Sequence, residues 1–443
     1  MEKTRLVFYK SEIWIIAVCT FCLQMPDLKV ASIKLSELLM LVILPFYIKE
    51  LFKSKTLLYF LAFYVLFMLK TFVVNIFTHF YINDDLPLLK EPYFISASRL
   101  VEMLACIVFC IFVINSFKLV KDPLQLIKKL LFVQIFCLGL LYIFVYMLYA
   151  THLLHTTSYD NLIVYDTSEG EMVYRLRGFY VEGGPFGLFC AFLFTVCIAF
   201  YKKLQLNIWY LIICGVLVFL ASSRAGEIMI MLIFFVFVGI KIRYVFDNIF
   251  AKVGLFLVVA IGAIYMSRII LDTYVADMGD VEERVGLFSP GELDPNFMLG
   301  RISASVIVPN MLKTQWVQGI GWGNYPLLRN NPQYRTFMPE IPVSMWDATG
   351  FGGMLDMMIE AGAILFLIYL FLYFRVARLI NKHFEQPGYL ILAFVGPLLL
   401  GVAIYFCYTW FLLGIVLYFS NKTITGKDNR ETAGIAEKDI NNI

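Results

Sequence analysis

Apolar stretches of near membrane-crossing length recur along this chain, at 12–25, 36–50, 56–77, 98–117, 127–150, 183–201, 207–221, 225–240, 252–269, 351–374, 388–403 and 404–420. A hydrocarbon core of about 30 Å needs roughly 20 helical residues, fewer where flanking side chains reach back to the interface. Within such a core a chain has to satisfy its own backbone N–H and C=O groups, and a helix does so locally. The expected fold is therefore an all-α integral membrane protein with about twelve transmembrane helices. Composition agrees: 16% of the 443 residues are charged and 60% hydrophobic, where an ordinary soluble domain is about 25% charged.

Lys and Arg mark the sides. Basic clusters follow the second run (Lys49, Lys53, Lys55), the fourth (Lys118, Lys121, Lys128, Lys129), the sixth (Lys202, Lys203), the eighth (Lys241, Arg243) and the tenth (Arg375, Arg378, Lys382). Every even gap is basic, and Lys3, Arg5 and Lys10 precede the first run. Positive charge collects on the cytoplasmic side, so both termini are expected in the cytoplasm. The odd gaps then face outward, including two long ones at 151–182 and 270–350, the latter between helices nine and ten. Residues 388–420 have to turn back around Gly396-Pro397 for this count to hold. Residues 1–420 read as a single polytopic domain and 421–443 as a charged, disordered cytoplasmic tail.

Several classes are excluded by the same residues. A net charge of +3, spread as topology clusters, gives nucleic acid no basic surface. All nine cysteines lie inside apolar runs, so Cys19 and Cys22 read as small apolar residues on a membrane helix. His79, His152, His155 and His383 have no metal-ligand spacing, and neither metal nor cofactor is expected. The first run has a basic leader but no small-residue cleavage site, and is read as a retained helix.

The chemistry-bearing residues gather on the face that arginine normally avoids. "YRLRGFYVEGGPFG" carries Arg175, Arg177 and Glu182 into the sixth run, "ASSRAGE" sets Arg224 at the short turn between the seventh and eighth, and "LGRISAS" puts Arg301 in the long outer loop. A guanidinium fork suits a phosphate or carboxylate, although each of these arginines could also snorkel to lipid headgroups. Ser222, Ser223, Ala225 and Gly226 around Arg224 allow close helix approach, and Glu227 could pair with it. Gly183, Gly184 and Pro185 after Glu182 read as a helix entry, whose N-terminal dipole adds positive potential. Lys70 and Glu102 could neutralise each other across a helix contact or form a proton relay. Asp347, just before the tenth run, is either a helix cap or a carboxylate free to act as a base; Asp356 is placed two turns in and Glu360 is read as a packing residue.

The order of these motifs, with "GRISAS…PNMLKTQWVQGIGWGNY" and "GGMLDMMIEAG" completing it, resembles the O-antigen polymerase (Wzy) and O-antigen ligase superfamily over about 170–365. The resemblance implies a GT-C-like polytopic bundle with a large periplasmic loop, in the bacterial cytoplasmic (inner) membrane, acting on saccharides carried by undecaprenyl pyrophosphate. It implies that Arg224 and Arg301 hold the pyrophosphate, that Arg175 or Arg177 lines a saccharide groove with Glu182, and that Gly319 to Tyr325 form a turn with an aromatic sugar-contacting surface. The "HN" pair common in ligases is replaced by Phe351-Gly352, and no histidine lies between 156 and 382. The balance tilts to a metal-independent polymerase joining lipid-linked repeats, with Asp347 or Glu182 as proton acceptor. A ligase acting on a lipid A-core acceptor, or a flippase or other transporter, is the alternative. Implied partners are the undecaprenyl-pyrophosphate-linked oligosaccharide as donor and acceptor, membrane lipids and a chain-length regulator protein.

Overall fold

The computed structural model describes residues 2–30, 33–82, 85–154, 163–166, 174–245, 301–343 and 350–421. The described chain is mostly helical: α1 (Glu2–Gln24), α2 (Leu35–Leu51), α3 (Lys55–Phe77), α4 (Pro92–Leu119), α5 (Pro123–Phe132), a π-helical stretch (Val133–Gly139), α6 (Leu140–Ala150), α7 (Gly183–Phe200), α8 (Trp209–Leu220) and α9 (Arg224–Val245). After these come α10 (Arg301–Gln315), α11 (Tyr325–Leu328), α12 (Pro332–Arg335), α13 (Gly353–His383), α14 (Pro387–Leu399) and α15 (Cys407–Asn421). Two antiparallel two-residue and three-residue ladders join β1 (Lys29–Val30) to β2 (Ile33–Lys34) and β3 (Val164–Asp166) to β4 (Tyr174–Leu176).

Five helical runs are long and apolar enough to cross a membrane: Lys55–Phe77, Pro92–Leu119, Pro123–Ala150, Gly183–Phe200 and Gly353–His383. Shorter apolar helices cover Glu12–Gln24, Trp209–Leu220, Pro387–Leu399 and Cys407–Asn421. This is a helical membrane protein. Ile364, Leu367, Phe371 and Phe374 repeat at three- and four-residue steps along α13 and are all exposed, an apolar stripe suited to lipid. The expected run at 252–269 lies outside the described residues, as do 270–300 and 344–349 of the 270–350 loop and nearly all of the tail. The turn within 388–420 comes later than Gly396-Pro397. Pro397 sits inside the last turn of α14, which ends at Leu399, and in the link that follows Gly401 takes a φ of 92° that its lack of a Cβ permits.

The chain forms two compact units. One comprises Met1–Phe63, Val101–Leu232 and Tyr369–Ile443, the other Tyr64–Leu100 and Ile233–Ile368. In the first, α7 is apolar on all sides and packs between α8 and α14, as a helix without a polar face should. Ser223 and Gly226 press on it: a Cβ on Gly187 would come 2.7 Å from Ser223 Oγ, and one on Gly226 2.9 Å from the Gly187 carbonyl. Inside this unit Tyr142 donates to Gln24, Gln24 to Gln134 and Gln134 to Thr20. Paired side chains of this kind are how polar groups are accommodated among apolar helices.

Lys70 and Glu102 find other partners than each other. The Lys70 ammonium donates to the Glu360 carbonyl at 3.0 Å, and Glu102 pairs with Lys34, 3.7 Å away. Lys34 is only 8% exposed, bridges Glu37 at 3.3 Å and lies over the Tyr405 ring. Burial alone would pull the Lys34 ammonium down, but Glu102, Tyr405, Glu37 and Asp27 outweigh it and hold it above the usual lysine range.

In the second unit α13 is broken. Gly362 adopts φ 72°, ψ 169° inside it, and the segment "WVQGIGWGN", Trp316 to Asn324, docks on the break. Ile320 N–H donates to the Ile359 carbonyl, Gly321 N–H to the Glu360 carbonyl, and Ala363 N–H to the Trp316 carbonyl. The loop thereby supplies partners to backbone groups near the interrupted turn.

Candidate functional site

Arg224 is the first residue of α9, and the local sequence explains its position. Ser223 caps the helix, its hydroxyl accepting from Gly226 N–H and donating to the Gly184 carbonyl at 2.9 Å. That fixes α9 against the start of α7 and leaves Arg224 exposed. It stands on a pocket of about 610 Å³ lined by Tyr146, His152, Tyr174, Ser222, Arg224 and Glu227, together with apolar groups of α6 and α8. The size suits a small ligand or a sugar or two of a longer chain. Guanidinium and the N-terminal end of α9 add positive potential at one wall; a carboxylate, a hydroxyl, an imidazole and two phenols supply the rest.

Arg175 serves the turn beside it. Its guanidinium donates to the Ser222 carbonyl at 2.9 Å and to the Ala221 carbonyl at 3.3 Å, the C-terminal end of α8, where positive charge is favoured. Two arginines thus flank the three residues that join α8 to α9. Arg177 donates to the Val181 carbonyl at 2.9 Å and closes the turn leading to α7. Glu182 is exposed at the entry of α7 and makes no side-chain cap bond. The entry itself follows the expected pattern, with Gly183 packed so closely that a Cβ would be 2.7 Å from the Ala221 carbonyl. Asp27 reaches the same segment, accepting from Val181 N–H; burial pushes its carboxyl up despite Lys34 and this bond.

The other expected residues belong to the second unit. Arg301 begins α10, and its side chain lies outside what is described; Asp347 lies outside the described residues altogether. Tyr325 is 3% exposed, within a core of Ile307, Val308, Met311, Ile320 and Leu328. Trp322 is equally buried, stacked on Phe67 at 5.0 Å and Tyr64 at 5.6 Å. The turn of Gly319 to Tyr325 is formed, but these rings face protein and not a groove. The cause is the break in α13, which draws the glycine-rich loop inward: Glu360 accepts from Gly323 N–H at 3.1 Å, Thr71 from Trp322 N–H, and Asn324 donates to Asn75. Asp356 stands in the first turn of α13, one turn earlier than expected, and accepts from Phe351 N–H at 2.7 Å. Arg329, beside Tyr325, is buried; desolvation lowers it and the phenol opposes the shift.

His152, Tyr146 and Tyr174 were not legible as site residues. Tyr174 opens the Arg175 motif, but His152 lies two residues past an apolar run, and its place on the same cavity wall as Arg224 needs α6, α8 and α9 to be packed. Among the described residues no group of His, Cys, Asp and Glu could hold a metal ion. Compared with protein families, curated proteins and solved structures, the chain matches none of them.

Proposed function

We propose that the chain is a polysaccharide polymerase of the O-antigen polymerase type, a metal-independent glycosyltransferase that joins undecaprenyl-pyrophosphate-linked repeats. The observation that carries this reading is Arg224, which opens α9 on the wall of a cavity of about 610 Å³ with Glu227, Ser222 and two tyrosines around it. In this reading about twelve spans place the cavity and the loop before α13 on the periplasmic side of the bacterial inner membrane, with both termini in the cytoplasm. An acceptor hydroxyl attacks the anomeric carbon, the bond to the pyrophosphate oxygen breaks, and the leaving charge is held by the Arg224 guanidinium. A chain-length regulator and surrounding lipids are the remaining partners. Ligation to lipid A-core uses the same donor and differs only in acceptor.

A second reading, a carrier for the same lipid-linked repeat, is favoured by one feature: the interruption of α13 at Gly362, flanked by Glu360 and Lys70. Broken helices with ionisable residues are what carriers use at their binding sites. Here the break is filled by the chain's own loop, which favours the enzyme.

Arg224→Ala and Arg301→Ala, expressed in a host deleted for the gene, are expected to abolish long polysaccharide ladders while the protein remains inserted. A single capped repeat is the polymerase result. Free polymer unattached to acceptor is the ligase result, and loss of all repeats from the outer face is the carrier result. An unchanged ladder in Arg224→Ala overturns the proposal.

A further inference from the structure

His152 ends α6 in an unusual way. Its φ is 59°, the left-handed region in which a side chain costs about 1–2 kcal/mol and which glycine enters freely. The hydrogen bonds are those of a helix stop: His152 N–H donates to the Tyr149 carbonyl and Leu153 N–H to the Leu148 carbonyl. Ser222 ends α8 in the same manner, with φ 46° and its N–H on the Phe219 carbonyl. Of the four described non-glycine residues with positive φ, His152, Gln205, Ser222 and Thr336, two therefore line the cavity on which Arg224 stands. At both helix stops the backbone favours glycine, and at both a polar side chain stands on the cavity wall.

We propose that His152 is the general base of this cavity, taking the proton of the acceptor sugar hydroxyl; this rests on the polymerase reading above. The hydroxyl oxygen forms the new bond to the anomeric carbon, the bond from that carbon to the pyrophosphate oxygen breaks, and the electron pair leaves with undecaprenyl pyrophosphate. The hydroxyl proton goes to the imidazole. Charge is the reason to prefer imidazole over Glu227 on the same wall. A carboxylate is negative before the reaction and repels the diphosphate it must approach. A neutral imidazole does not, and it becomes positive as the leaving group becomes more negative, so the two charges that develop attract each other. Arg224 and His152 then act on opposite ends of one transfer.

The test uses membranes containing the full chain and the lipid-linked repeat extracted from a strain deleted for the gene. His152→Gly suits the local backbone, so the variant is expected to fold at least as well as the parent. Polymer formation is expected to fall about 100-fold or more, and free imidazole added to the His152→Gly membranes is expected to restore it. Polymer formed by His152→Gly at the parental rate overturns the assignment, as does a loss that imidazole leaves unrepaired, which would make His152 a positioning residue. Glu227→Gln tests the competing carboxylate: if it abolishes polymer while His152→Gly does not, the base is Glu227 and the assignment falls. Failure of the underlying reading looks different: the parent itself would then leave the extracted repeat handled the same way as empty membranes, or Arg224→Ala would form polymer at the parental rate.

Discussion

Gly319 and Gly362 lie backbone against backbone. A Cβ on Gly319 would stand 2.5 Å from the Glu360 carbonyl oxygen, and one on Gly362 2.6 Å from the Gly319 nitrogen. Both residues have φ near 70° (69° and 72°), so an added methyl meets a strained conformation and immovable backbone together. Gly319→Ala and Gly362→Ala are each expected to abolish monodisperse protein in detergent, since the left-handed conformation alone costs about 1–2 kcal/mol before the clash is counted. Gly184→Ala, with open space around the new methyl, is the control that should chromatograph as the parent does.

Glu360 fastens the loop through its carboxylate as well as its carbonyl. Glu360→Gln keeps an oxygen for Gly323 N–H and is expected to melt within about 1 kcal/mol of the parent. Glu360→Ala strands that buried N–H and is expected to cost about 1–3 kcal/mol. Thermal unfolding of the two variants side by side checks this; equal melting would mean the contact to Gly323 contributes nothing.

Lys34 balances Glu37 and Glu102 in a nearly dry position. Lys34→Met removes the cation and leaves two carboxylates facing each other, an expected loss of about 3–5 kcal/mol. Lys34→Met combined with Glu102→Gln should recover part of it. A double variant no more stable than Lys34→Met would show that Glu102 is not the partner that matters.

The two arginines of the α8–α9 turn should separate stability from function. Arg175 caps the carbonyl end of α8, and Arg175→Ala is expected to lower stability by about 0.3–2 kcal/mol. Arg224 is exposed, so Arg224→Ala should melt within about 0.5 kcal/mol of the parent while losing the polysaccharide ladder. Melting temperature and ladder length, measured on the same preparations, decide between them.

Most of the helices can be read from hydropathy because crossing a bilayer is a local requirement on consecutive residues. Runs 56–77, 98–117 and 183–201 fall on α3, α4 and α7 for that reason. The Arg224 turn was legible too, since Ser222 to Gly226 is a short string of small residues around one charge. Lys70 was not: its partner, the Glu360 carbonyl, lies 290 positions away, and an acid on a neighbouring run was the only candidate in view.

By itself, then, the order of residues determined a polytopic helical membrane protein with guanidinium groups at helix ends, because apolar length and helix-capping chemistry act over a few neighbouring positions. Tertiary structure alone decided that α13 breaks at Gly362 to receive a glycine-rich loop, that Trp322 and Tyr325 turn inward, and that His152 shares a cavity with Arg224. Those outcomes depend on which helices pack together, and close packing is settled by shape and by satisfying every buried polar group at once, over distances in sequence that no local pattern records.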